Sequence, residues 1–310
     1  IGHALIGGPM RLFGFVFAIA LTTGTVHSSF TQASTNELFA IDNVDISGVR
    51  DAIQMAPLHG LNLERYWNQD LEYGFQTNPS DPRFIFQAKN AYIKLLKHLN
   101  SGTVNPEYLG KNYLLKQRKF PTPTELTKIA TDNGFNAVAI LNQIAPRTPH
   151  YRSLQEALRR MTEMCSQNQW GDMPPVRRSL KLGDKDTLIP IIKTRLSQFG
   201  YKISSFDDIF DQETLKAINN IQFVLHFKPD GIISPGGQTW KYLGVSCEQR
   251  IEQIRVDLEK LRWLPREFGS RYIYVNLAHN YLTLIDHNQK KAETMKVIEG
   301  RPSRQTPTLV

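Results

Sequence analysis

Residues 185–244 read KDTLIPIIKTRLSQFGYKISSFDDIFDQETLKAINNIQFVLHFKPDGIISPGGQTWKYLG, and this stretch sets the architecture of the chain. Ile191, Ile192 and Leu196 line a first helix that ends at Gly200. Apolar residues three or four apart place their side chains on one helical face, and a glycine commonly terminates such a helix. FDDIFDQET is a turn in which Asp211 caps a second helix, TLKAINNIQFVL, with Ala217, Ile218 and Ile221 as its inner stripe. PDGIISPGGQTWKYL is a tight turn followed by a short third helix carrying Trp240 and Leu243.

Upstream, the helical period continues from NLERYW to LRRMTEM. FIFQAKNAYIKLLKHLNSG predicts a helix with Phe86, Ala91, Ile93, Leu95, Leu96 and Leu99 on one broad face, stopped by Gly102. TPTELTKIATDNG predicts a helix capped by Thr124 and closed at Gly134. FNAVAILNQIAP stops at Pro146, and Tyr151, Leu154, Leu158 and Met161 recur at helical spacing beyond it. Such faces bury themselves only against one another, so residues 34–170 are expected to form an all-α domain. Residues 34–60 show short apolar groups without a long period. Residues 171–184, with their prolines and glycines, are expected to be a linker.

Downstream, residues 245–265 form a connecting helix running into Arg262-Trp263-Leu264-Pro265. RYIYVNLAHNYLTLID, a polar turn at His287-Asn288-Gln289, and KAETMKVIEG then read as strands with a hairpin. Together these segments predict a multidomain α+β chain.

The central stretch resembles the three-helix type of peptidoglycan-binding domain. The features that carry this are Gly200-Tyr201, Phe206 to Asp211, Thr214, Ala217, Gln222, Asp230-Gly231-Ile232 and Thr239-Trp240 with Leu243. SPGGQT departs from the shorter glycine-opened loop of that family. With the helical segment before it and LRWLP, YIYVN, YLTLID and VIEGRPSRQTP after it, the order resembles the large L,D-transpeptidases. The resemblance implies an all-α scaffold, the binding domain at 185–244, and at 266–310 the opening strands of an incomplete β-rich catalytic domain. It implies peptidoglycan glycan strands and stem peptides as partners, and a cysteine thioester as the chemical intermediate in cross-linking.

A glycan site wants an aromatic platform and a few fixed polar groups, and Asp207, Gln222, Asp230 and Trp240 are the candidates for them. Each also has a structural reading: Asp230-Gly231 suits a turn and Trp240 a core. The family's nucleophile lies in a Ser-His-Gly-Cys type motif, which this sequence lacks. Cys165 and Cys247 lie upstream of the catalytic segment and close to no histidine in sequence. No catalytic residue is assigned, and both cysteines read as structural. Two lone cysteines give no geometry, so a bridge between them is permitted but not favoured. Neither has ligand spacing for zinc, and no metal or cofactor is expected.

The expectation is therefore the N-terminal portion of an L,D-transpeptidase, cut short before its catalyst, because an opened sheet leaves backbone edges bare. The alternative is a non-catalytic exported peptidoglycan-binding protein. Arg11 followed by an apolar run from Leu12 to Leu21 and by small residues to Ala33 has the layout of a secretory signal, with residues 1–9 reading as upstream of a start at Met10. Export to the periplasm follows, with membrane contact only through this segment, whether cleaved or kept as an anchor. The chain carries 37 Lys and Arg against 29 Asp and Glu, a net charge of +8. That balance favours anionic partners. The basic residues are scattered, so nucleic acid is not expected as a partner, and nothing in the sequence sets an oligomeric state.

Overall fold

The computed structural model describes residues 33–110, 114–225, 228–276, 281–286 and 291–298. The expected signal segment and the turn at His287-Asn288-Gln289 lie outside these residues. Among the described residues no helix is long and apolar enough to cross a membrane. The chain divides into two compact units, one built on residues up to Leu158 together with 254–274, the other on Arg159–Gln253.

In the first unit, α1 (Thr35–Ala40) and α2 (Ile46–Gln54) occupy a region whose sequence shows no long period. Their signal is in the caps. Ser34 and Glu37 form a reciprocal capping box, and Asp45 accepts from the N–H groups of Ser47 and Gly48. Helix α3 (Gln69–Thr77) leads to α4 (Pro82–Ser101), which packs against α1, α2, α3 and a later helix, α6. Its buried face is Phe84, Ala88, Tyr92, Ile93, Leu95, Leu96 and Leu99; Phe86, expected on that face, is 46% exposed. Phe86 shares its angular position with Ile93, seven positions later, but in the first turns of α4 the buried face is a narrow one through Phe84 and Ala88, and it widens to take in Ile93 only further along.

Helix α5 (Pro123–Asp132) is capped by Thr122 and not by Thr124, because Pro123 takes the first helical position and Glu125 reaches back to complete a capping box. Helix α6 (Ala137–Ile144) follows, then α7 (Pro149–Ser166) with Tyr151, Leu158 and Met161 buried. The core joins Ile41, Val49 and Ile53 to Tyr92, Leu95, Leu96, Leu126, Ile140 and Leu141.

Gly102 ends α4 at φ +87°, where a side chain is strained; a Cβ there would also run into Trp263 Nε1 and Glu259 Oε1. Glu259 accepts from the N–H groups of Thr103 and Val104 at 2.5 and 2.9 Å. Its other oxygen accepts from Arg262 Nη1 at 2.6 Å. Arg262 is buried and also donates to Tyr151 Oη and to the carbonyl of His59. Burial holds His59 down to about 3, with the Arg262 charge adding to the effect, so this network carries a neutral imidazole.

The second unit contains α8 (Ile189–Gln198), α9 (Gln212–Val224) and α10 (Gln238–Leu243), with α9 packed on both of the others. Ile192, Leu196, Ala217, Ile218, Ile221 and Leu243 are its core, whereas Ile191 is 37% exposed. Helix α11 (Cys247–Trp263) follows, and the division between the units falls inside α7 and inside α11. Strands β1 (Arg271–Asn276), β2 (Tyr281–Asp286) and β3 (Lys291–Lys296) make an antiparallel sheet in the order β1-β2-β3.

The stretch 171–184 makes ordered contacts within the second unit. Leu180 is buried and exchanges both backbone hydrogen bonds with Ile233 at 2.9 Å. Gly183 N donates to the Phe210 carbonyl and Phe210 N to the Asp184 carbonyl. Cys165 and Cys247 are joined by a disulfide with a Cα–Cα distance of 5.8 Å, so the pairing that the sequence did not favour is the one formed. The ends of α7 and α11 meet there although 82 positions separate them in sequence.

Candidate functional site

The candidate residues occupy two places in the three-helix unit. The first is the turn before α9. Lys193 on α8 is fully buried at its side chain and donates to Asp207 Oδ1 at 2.8 Å and to Asp211 Oδ2 at 2.5 Å. A buried ammonium requires such partners, since an unpaired charge there is costly. Asp211 also caps α9, its Oδ1 accepting from Thr214 N and Thr214 Oγ1 at 2.8 Å each.

Asp207 keeps 48% of its side chain exposed. The Lys193 hydrogen bond, then those from Ser205 Oγ and Ile209 N, hold its carboxyl down to about 2. It is therefore a fixed carboxylate at the surface, flanked by the exposed Phe206 and Ile209. An exposed carboxylate beside apolar side chains can accept a hydroxyl or an amide N–H while a sugar or peptide covers its neighbours.

The second place is the turn before α10. Gln222 is buried, and both ends of its carboxamide are used within the unit. Nε2 donates to Asp230 Oδ1 at 2.8 Å, to the Ile232 carbonyl at 3.1 Å and to Thr239 Oγ1 at 3.2 Å. Oε1 accepts from the N–H groups of Asp230 and Gly231 at 3.0 and 2.9 Å. Gln222 thus locks the Asp230-Gly231-Ile232 turn onto α9. Gly231 sits at φ +67°, and a Cβ there would collide with Leu215.

Asp230 is exposed, and its Oδ1 accepts from Gln222 and from Ile232 N at 2.9 Å. Trp240 is half-buried on α10, one residue after Thr239. Gln222 therefore brings Asp230 and the Thr239-Trp240 end of α10 together, while Asp207 is held elsewhere by Lys193.

Two cations that the sequence did not single out hold this arrangement. Lys193 is one. Arg195 is the other: it is buried, donates to the carbonyls of Leu243, Trp170 and Gly171 at 2.6–2.7 Å, and lies 3.9 Å over the Trp170 ring. Both stand in the first helix at positions that helical spacing alone makes surface candidates. The aspartates of FDDIFD, of which Asp207 and Asp211 meet the ammonium, were the available hint for Lys193.

Residues 185–243 match the family model of a peptidoglycan binding domain, and residues 35–158 match that of a scaffold domain. The chain joins a scaffold domain to a peptidoglycan-binding domain. This pairing is consistent with the L,D-transpeptidase family, and it supports a cell-wall-associated protein that binds peptidoglycan. No curated protein matches the chain. In the peptidoglycan-binding domain, Asp207 and Asp230 are the accessible carboxylates of the candidate set, Trp240 is a partly open aromatic, and Gln222 shapes the turn between them from within. Among the described residues no group of His, Cys, Asp and Glu could hold a metal ion.

Proposed function

We propose that this chain is the wall-docking part of an exported peptidoglycan L,D-transpeptidase. The peptidoglycan-binding domain would engage glycan strands and stem peptides, with Asp207 and Asp230 accepting hydroxyl or amide protons and Trp240 covering an apolar sugar face. The scaffold domain would carry this reader beside the cross-linking step. The cysteine thioester of that step would belong to a Ser-His-Gly-Cys type cysteine that is not among these residues. The observation that carries this reading is the succession of the two matched domains along one chain.

Export is supported by the Cys165–Cys247 bridge, since disulfides persist in oxidising compartments. A second reading is a wall-binding protein without catalysis, in which the bridge between the two cysteines of these residues is structural.

Retention on purified sacculi tests the shared core of both readings. Attraction through the net charge of +8 is screened over about 8 Å at physiological ionic strength, so that share falls with salt, while groove contacts persist. Binding that falls with salt but survives at high salt, and weakens on Asp207→Asn, is the expected result. Complete loss at moderate salt with no effect of Asp207→Asn, Asp230→Asn or Trp240→Phe would reduce the interaction to charge alone.

A further inference from the structure

The end of α7 turns back on itself at Asn168, whose φ of +53° is a left-handed value that asparagine tolerates. The turn is closed by Gln169 N donating to the Met164 carbonyl at 2.9 Å and by Asn168 N donating to that of Cys165 at 3.1 Å. It sets Gln167 and Gln169 side by side, and Gln169 Nε2 donates to Gln167 Oε1 at 2.5 Å. The Cys165–Cys247 bond pins the same stretch. From α8, Gln198 Nε2 donates to the Gln169 carbonyl, while Gln198 Oε1 accepts from the buried Arg195 at 3.0 Å.

These three glutamines wall a cleft of about 340 Å³, completed by Arg160, Glu163 and Met164 of α7. All six residues belong to the second unit. The volume lies at the lower end of the range for small-ligand clefts, about 300–1,000 Å³. Arg160, Glu163, Gln167 and Gln169 are exposed, so solutes reach them, and Met164 is half-buried. The bond between the two carboxamides leaves a donor, Gln167 Nε2, and an acceptor, Gln169 Oε1, for another partner. A peptide group carries the complementary pair, a carbonyl and an N–H. Arg160 and Glu163 stand three positions apart on α7, and so on one side of it. Glu163 also meets Arg159 at 3.2 Å, but both side chains are half exposed and such a pair holds weakly. A cleft with both signs of charge suits a zwitterion. A neutral sugar would displace water from both charges and supply neither with an opposite one.

We infer that this cleft binds a short peptide with free termini, one peptide group pairing with Gln167 and Gln169, the carboxylate with Arg160 and the ammonium with Glu163. Arg160 suits the carboxylate because a guanidinium donates to both of its oxygens. Met164 supplies an apolar contact for a small side chain. None of these residues is among the glycan candidates Asp207, Asp230 and Trp240. Stem peptides are the wall component with this chemistry; that source rests on the wall-docking function proposed above, and the cleft itself does not.

Titration of the full nitrogen-15-labelled chain with alanyl-alanyl-alanine, followed by NMR, tests the cleft. The side-chain amide signals of Gln167 and Gln169, assigned by their loss in Gln167→Met and Gln169→Met, should shift and saturate. Arg160→Gln, Glu163→Gln and Gln167→Met should each weaken binding about fivefold. All three sites are exposed, where substitution costs little stability, and an unchanged Tm verifies this. The same tripeptide acetylated at its N-terminus and amidated at its C-terminus loses both charges and should bind roughly twentyfold more weakly. Chitotriose, which offers acetamido groups without charge, should shift neither signal. No shift with the tripeptide, equal affinity for its blocked form, saturable shifts with chitotriose in its place, or an affinity unchanged in both Arg160→Gln and Gln167→Met would each overturn the proposal. Sacculus retention is measured in parallel. Tripeptide binding without retention upholds the cleft and removes the wall as its source; retention without tripeptide binding overturns the cleft alone.

Discussion

Cys165, near the end of α7, and Cys247, at the start of α11, are bonded to each other, and the chain between them contains the whole matched peptidoglycan-binding domain. The domain is therefore a closed loop tied at its entry and its exit. A cross-link over a loop of this length removes much of the freedom of the unfolded chain, about 4 kcal/mol in the loop-closure account. Cys165→Ser with Cys247→Ser should lower the stability of this unit by an amount of that order, read as a shift of the urea midpoint at unchanged slope. A midpoint within error of the parent would show that the bridge constrains nothing.

The same bond bears on chemistry. A thioester requires a thiolate, and both sulfurs of this chain are already bonded. Incubation of the oxidised chain with a tetrapeptide donor should leave its intact mass unchanged. A stoichiometric acyl adduct on either cysteine would contradict this.

Gln222 and Asp207 should respond in opposite ways to substitution. Gln222→Ala strands the N–H groups of Asp230 and Gly231 and empties a buried site, a loss of about 2–3 kcal/mol. Its effect on wall binding should then follow the fraction unfolded, as seen by comparing circular dichroism with sacculus retention. Asp207→Asn should leave the unfolding midpoint close to the parent and weaken retention directly.

A fragment of residues 185–244 should be less stable than one of 168–250. Arg195 is buried against the carbonyls of Trp170 and Gly171, and Leu180 pairs with Ile233, so the shorter piece leaves a guanidinium without two acceptors and uncovers a core edge. Thermal melts of the two fragments provide the comparison. Equal midpoints would mean that residues 170–184 add nothing.

Asp257 on α11 is buried, and burial raises its carboxyl to about 6 although Lys260 Nζ stands 3.4 Å away and opposes the shift. The folded state thus binds this proton more tightly than the unfolded chain, whose value is near 3.8. Its ionisation costs nothing below about pH 4, costs progressively more up to about pH 6, and costs its full amount above that. Asp257→Asn should therefore stabilise the chain by about 2 kcal/mol at pH 7 and by nothing at pH 3.5. An equal gain at both values would assign the effect to packing.

Local rules made much of this molecule legible in its sequence. The three helices of the binding domain, the Asp211 cap, the stop at Gly102 and the strands after Phe268 follow from apolar period, capping residues and turn glycines, each decided within a few positions along the chain. Thr124 gave way to Thr122 because a proline at the first helical position fixes the cap one residue before it, and α1 and α2 announced themselves in caps and not in period. Tertiary structure alone decided which residues meet. Period places Lys193 on a face, but only the fold shows that two aspartates from a following turn enclose it. Composition lists two cysteines, and only the approach of α7 to α11 makes them a bond. Gln222 has the chemistry of a ligand contact, yet the turn at Asp230 closes over it and uses both ends of its amide. The physical reason is common to all three. Burial, pairing and hydrogen-bond satisfaction depend on distances between residues remote in sequence, whereas helix and strand formation depend on neighbours.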